Sequence, residues 1–175
     1  QEIAIGGGDV TSHPDLVQFF GKLKILKVIA NITIYQIHFE QKYDFIKSLV
    51  DQGLIHGLSI SLVRADEGFI KKVSEFPNAV IHVINGVLDK MTCNLLLDHN
   101  IKILILGYKE LRRGNEWIKA NKFEVSSNKL WLKENLKSLI RHFNTVSFDN
   151  LAIEQLGVKD LMSQDEWESF YMGDD

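Results

Sequence analysis

The chain has 175 residues, 45% hydrophobic and 25% charged, an ordinary globular composition that supports a sizeable core and one domain spanning 1–175. A net charge of −3 gives no global field toward polyanions, so nucleic acid is an unfavourable partner. The lone Cys93 excludes an intramolecular disulfide and cannot by itself hold a metal cluster. No stretch is apolar for long enough to cross a bilayer, and the expectation is a cytoplasmic protein with no membrane partner.

Residues 1–16 read Q-E-I-A-I-G-G-G-D-V-T-S-H-P-D-L. An apolar run, Ile3-Ala4-Ile5, enters three glycines and an acid, and Thr11, Ser12 or His13 then precedes Pro14 at a helix start. That is a strand, a turn whose backbone can approach a ligand closely, and a helix. Leu16, Phe19, Phe20, Leu23 and Leu26 then recur at helical spacing, and 28–34 is β-branched and strand-like. Residues 39–50 carry a second helical stripe, Gly53 ends it, and 57–63 is the next strand.

Asp66 or Glu67 opens a helix that Pro77 stops, and 79–84 is a strand ending in Asn85-Gly86. Residues 88–97 are helical with Leu88, Met91, Leu95 and Leu96 on one side, and 101–106 is an almost wholly apolar strand before Gly107. Further on, Asn128 caps a helix to Phe143, on which Lys129, Lys133, Lys137 and Arg141 recur every four residues as a solvated face. Residues 145–148 are a sixth strand candidate, 150–156 a loop or short strand, and 163–175 an acidic segment with a short helix at 167–172.

Strands that alternate with helices and are apolar on both faces predict a parallel α/β sheet. Right-handed crossovers lay such strands side by side as an incomplete (β/α)6, TIM-like partial barrel, with a flavodoxin-like open sheet as the competing arrangement. Ligands of such sheets lie at the carboxyl ends of the strands. The residues there are Gly6, Gly7, Gly8 and Asp9, then Tyr35 and Gln36, Ser61 and Arg64, Asn85 and Gly86, Tyr108 and Lys109, and Asp149 with Asn150. The plainer readings stand beside these: three glycines supply positive φ for a turn, His82 is a hydrogen-bonded core histidine, His13 is a residue of the helix start, and Cys93 is an inert buried thiol. No Ser-His-Asp order, H-E-x-x-H or P-loop lysine is present, which weighs against the common hydrolase and kinase chemistries.

The stretch Gly7-Gly8-Asp9-Val10-Thr11-Ser12-His13-Pro14-Asp15-Leu16 resembles the second-strand motif of radical S-adenosylmethionine (radical SAM) enzymes, where a Gly-Gly-Glu-Pro turn is followed by a His-Pro-Asp-Leu helix start. Ser61-Leu62, the segment from His82 to Gly86 and the strand ending at Gly107-Tyr108 are compatible with later strands of that barrel. The resemblance implies a partial (β/α)6 barrel in which Gly7, Gly8 and Asp9 hold the amino group of S-adenosylmethionine, with Ser61 and Asn85 as further contacts. Reductive cleavage of S-adenosylmethionine to a 5′-deoxyadenosyl radical would be the activity of the intact parent.

The chain departs from that pattern in three places: the family's Glu is Asp9, its Pro is Val10, and a Thr-Asn after the following strand is Ile34-Tyr35. The C-x-x-x-C-x-x-C loop that ligates the family's [4Fe-4S] cluster is absent. Together with a start in mid-strand at Gln1, this predicts a piece of a longer enzyme that is inactive as given. A degenerate, non-catalytic S-adenosylmethionine- or nucleotide-binding or regulatory module, and a flavodoxin-like phosphate-ester binder using helix-start N–H groups, are the alternatives. The strand edge at residues 2–5 is expected to favour a homodimer.

Overall fold

The computed structural model describes residues 1–111 and 113–171, so the end of the acidic segment, including the last residue of the helix expected at 167–172, lies outside the described residues. The chain divides into two compact units, Gln1–His82 and Val83–Asp175. The first holds β1 (Glu2–Ile5), α1 (Leu16–Ile25), β2 (Ile29–Tyr35), α2 (Gln36–Gln41), α3 (Tyr43–Asp51), β3 (Gly57–Ser61) and α4 (Glu67–Ser74). The strand β4 (Ala79–Ile84) runs through the boundary. The second holds α5 (Lys90–Leu96), β5 (Lys102–Leu106), α6 (Arg113–Leu139), β6 (Thr145–Phe148), α7 (Asn150–Leu156) and α8 (Gln164–Phe170). Among the described residues no helix is long and apolar enough to cross a membrane.

The six strands form one sheet in the order β1-β2-β3-β4-β5-β6, so the fold class is α/β with helices between successive parallel strands. The sheet keeps chain order and does not close, as in a partial TIM-like barrel; a flavodoxin-like sheet instead reverses its strand order at a switch point. At the β1 edge Glu2, Ile3 and Ala4 are exposed.

In the first unit the strands are not apolar on both faces. Ala30, Ile32 and Ile34 of β2, Leu58 and Ile60 of β3 and Ile81 of β4 are at most 4% exposed, whereas the residues between them are only partly covered or exposed. Crossovers of one hand put the helices on one side of the sheet, and only the strand face turned toward them is fully apolar. The opposite face carries Asn31, Thr33, Ser59, Ser61 and His82, an alternation that is written in I-A-N-I-T-I-Y and G-L-S-I-S. The covering layer is anchored by Phe39, Ile46, Leu49 and Phe69, all at most 1% exposed, and Phe39 meets the rings of Tyr43, Phe69 and Phe76 edge-on.

Other elements differ from the sequence expectation in ways that burial explains. The stripe expected at 39–50 is two helices broken at Lys42, whose backbone leaves the helical region at φ −117°, ψ 27°. On α1 only Leu16 and Phe20 are buried, while Phe19 and Leu26 are 42% and 71% exposed. On α5 the inward face is Cys93 and Leu96, joined by Leu88, and Met91 and Leu95 point outward.

Asn128 is not a helix cap: α6 runs from 113 to 139 with one non-helical residue, Asn121, and the Asn128 amide donates to the Gly86 carbonyl. The inner side of α6 is Val125, Leu132, Leu136 and Leu139. Lys133, Lys137 and Arg141 are exposed as expected, whereas Lys129 lies over the Tyr108 ring at 4.5 Å. Residues 150–156 form a helix, not a loop or strand, because Asp149 caps it: Oδ1 accepts from the Ala152 N–H at 2.8 Å. The same oxygen accepts from the Gly107 N–H at 2.8 Å, so one carboxylate joins the end of β5 to the start of α7. A Cβ on Gly107 would lie 2.6 Å from Leu151 Cβ, which makes glycine necessary for this close approach.

Candidate functional site

The first unit's candidate site begins where β1 ends. Gly7 and Gly8 take φ of 100° and 56°, values that side-chain-bearing residues rarely adopt, and nothing lies within 4 Å of a Cβ built on either. The turn therefore presents bare backbone outward. Beside it opens a cavity of about 730 Å³ lined by Ile5, Gly6, Gly7, Asp9, Ser12, His13, Asp15 and Lys22, among others.

Asp9 is fixed by its own sequence neighbours. Its Oδ1 accepts from the Thr11 N–H at 3.1 Å and from the Thr11 hydroxyl, closing the short 3-10 turn Val10–Ser12, and the Ser12 hydroxyl donates to the Asp9 carbonyl at 2.7 Å. His13 is a residue of the helix start, as expected, with Nδ1 accepting from the Asp15 N–H. The second carboxylate oxygen faces two nitrogen-bearing side chains brought by α2 and the break after it: Lys42 Nζ lies 2.9 Å away and His38 Nδ1 3.8 Å away.

These contacts lower the Asp9 carboxyl below its ordinary value, the Thr11 hydrogen bond most and the Lys42 contact next among the lowering effects, against a desolvation that raises it. A depressed carboxylate pKa contributes stability that is present above the unfolded value near ~3.9 and is lost as pH falls through the folded value. Urea midpoints at pH 6 and pH 3 are therefore expected to fall less for Asp9→Asn than for the wild type. Parallel falls in both proteins would show that Asp9 makes no such contribution.

His38 and Lys42 were not expected from sequence. Their signal is the four-residue spacing, which puts both on one helical side of the segment following β2. Gln36, expected only as a strand-end residue, is 5% exposed and structural: Oε1 accepts from the Val63 and Arg64 N–H groups at 2.7 and 2.9 Å, and Nε2 donates to the Arg64 carbonyl at 2.7 Å.

Ser61 pairs in register with Tyr35 on one side and His82 on the other, on the face that the helices leave open. His82 is not a hydrogen-bonded core histidine: its ring has no partner among the described residues and is only partly covered, and burial lowers its pKa so that it is neutral at pH 7.

In the second unit Asn85 is 1% exposed; its amide donates to Gln155 Oε1 at 3.0 Å, while its Oδ1 is buried without a hydrogen-bond partner among the described residues. Gln155 also accepts from the Tyr108 N–H and donates to the Tyr108 carbonyl, which ties α7 to the segment after β5. Tyr108 is buried, and its hydroxyl donates to the Gly114 carbonyl at 2.7 Å. Cys93 is 1% exposed with its thiol pushed up to about 11 by desolvation, the inert state expected of it. Among the described residues no group of three or more His, Cys, Asp or Glu side chains could hold a metal ion. No protein-family model, curated protein or solved structure matches this chain.

Proposed function

We propose that the glycine turn at 6–9 binds the amino-acid end of S-adenosylmethionine, and that the chain is core sequence of a radical SAM enzyme. One observation carries this reading: Asp9, locked by Thr11 on a cavity wall, already receives an ammonium, that of Lys42 at 2.9 Å. A ligand's amino group would join or replace Lys42 on the same carboxylate, which has acceptor positions for both. Lys22, on the wall of the same cavity, supplies the charge for the carboxylate of a zwitterion. The bare backbone at Gly7 and Gly8 lets such a ligand lie close to the strand end. Two acids on the cavity wall, Asp9 and Asp15, oppose a phosphate ester.

Bound S-adenosylmethionine supplies a 5′-deoxyadenosyl radical when an iron–sulfur cluster delivers an electron to it. The residues of this chain do not fit that cluster, since three thiolates are needed and the single Cys93 is buried and protonated. What this chain's residues do is bind and orient: Asp9 holds the amino group, the glycines admit the ligand, and Ser61 offers a hydroxyl from the open sheet face.

Calorimetric titration of S-adenosylmethionine into the wild type and Asp9→Ala tests the reading. A charge-assisted hydrogen bond of ~1.5–3 kcal/mol predicts weakening by roughly 10- to 100-fold in the variant. Equal affinities would remove Asp9 from the site. Binding of glycerol phosphate with no response to S-adenosylmethionine would support the phosphate-ester alternative instead.

A further inference from the structure

The open face of the first unit's sheet carries hydrogen-bonding groups that the protein itself does not use. Two layers are set by the strand register: Thr33 beside Ser59, then Tyr35 beside Ser61 beside His82. Among the described residues none of these four hydroxyls and neither nitrogen of the His82 ring makes a hydrogen bond. None of the polar atoms of Thr33, Ser59, Ser61 and His82 is fully buried, and Tyr35 is 44% exposed. Unused donors and acceptors at this density, fixed on adjacent strands and not on loops, form a preorganised array.

The chemistry of the array selects its ligand. Hydroxyls and a neutral imidazole both donate and accept, and no side chain in these two layers bears a charge, so neither an anion nor a cation finds its counter-charge here. Molecules whose own groups both donate and accept at every position are polyols. Three strands about 4.8 Å apart and two layers about 6.6 Å apart span the area of a single sugar ring, and the half-exposed Tyr35 ring offers an apolar face at its margin. We propose that the face formed by Thr33, Tyr35, Ser59, Ser61 and His82 is a binding site for a neutral polyol, a monosaccharide or cyclitol. This site adjoins the glycine turn, where a Cβ on Gly6 would lie 3.4 Å from Thr33 Cβ, and shares Ser61 with the proposed S-adenosylmethionine contacts, but its argument stands whether or not the cavity takes S-adenosylmethionine.

The test is ¹H–¹⁵N NMR titration of the whole chain with glucose and with myo-inositol, following the amides of Thr33, Ser59, Ser61 and His82 and the ring protons of His82. Ser61 is offered to both ligands, so the informative variants are Thr33→Val, Ser59→Ala and His82→Gln, with unfolding midpoints measured alongside. The expected result is saturable shifts on this face with either compound, weakened about fivefold by each variant while affinity for S-adenosylmethionine is unchanged. A glucose response without an inositol response identifies a sugar, and the reverse a cyclitol; either supports the site. Absence of shifts with both compounds, shifts confined to residues 6–15, or variants that weaken S-adenosylmethionine as much as the polyol would overturn it. Failure to bind S-adenosylmethionine alongside a polyol response would remove the other reading and leave this one intact.

Discussion

Gln36→Leu is expected to destabilise the first unit by about 3 kcal/mol, read as a fall in the urea midpoint at unchanged slope. The carboxamide closes three backbone groups of the segment after β3: the N–H groups of Val63 and Arg64 and the carbonyl of Arg64. Leucine matches its volume but leaves those groups without partners at a position that is 5% exposed, and an unpaired buried polar group costs ~1–3 kcal/mol. Water reaching the outer two would reduce the sum toward the lower figure. Glutamate at 36 keeps the acceptor but turns an oxygen toward the Arg64 carbonyl and toward Glu40, now a partner at 2.8 Å, so Gln36→Glu is expected to destabilise as well. A midpoint unchanged in both variants would show that the segment after Ser61 holds its place without Gln36.

Phe39→Ala carries a larger expected loss, about 3–5 kcal/mol, the range for deleting a buried aromatic ring. Phe39 is fully buried and is the hub of a cluster with Tyr43, Phe69 and Phe76, centroids 5.6 to 6.2 Å away, that joins α2, α3 and α4. Removing the ring takes away the edge-on contacts together with the buried area, and three helices would have to move to refill the space. Thermal unfolding followed by near-ultraviolet dichroism reads both effects. A loss below about 1 kcal/mol would mean that the cluster collapses around alanine and does not define the helix layer.

Much of the candidate site was legible because its determinants are local. The glycines ask for positive φ, Asp9 caps the turn two residues ahead of Thr11, and His13 accepts from the Asp15 N–H just ahead of α1; each of these acts within a few residues. What Asp9 faces was not legible in the same way. Lys42 is 33 residues away, and nothing around it marks a break: no glycine or proline separates α2 from α3. Asp149 did announce α7 as a cap, but N-L-A-I-E-Q-L is short enough to fit several local structures, and only the bond from the Gly107 N–H and the close approach of Leu151 decide for a helix.

The sequence by itself determined the alternation of strand and helix, the parallel sheet that follows from it, and the acid-bearing glycine turn at the end of β1. Apolar periodicity and backbone preference act through near neighbours, and tertiary packing leaves them in place. Only the tertiary structure decided that Asp9 holds an ammonium, that Gln36 and Asn85 turn inward, and that Ser61 and His82 stand in one row on an open face. Those outcomes depend on strand register and on which side the helices cover, and both are set by contacts between residues far apart in the chain.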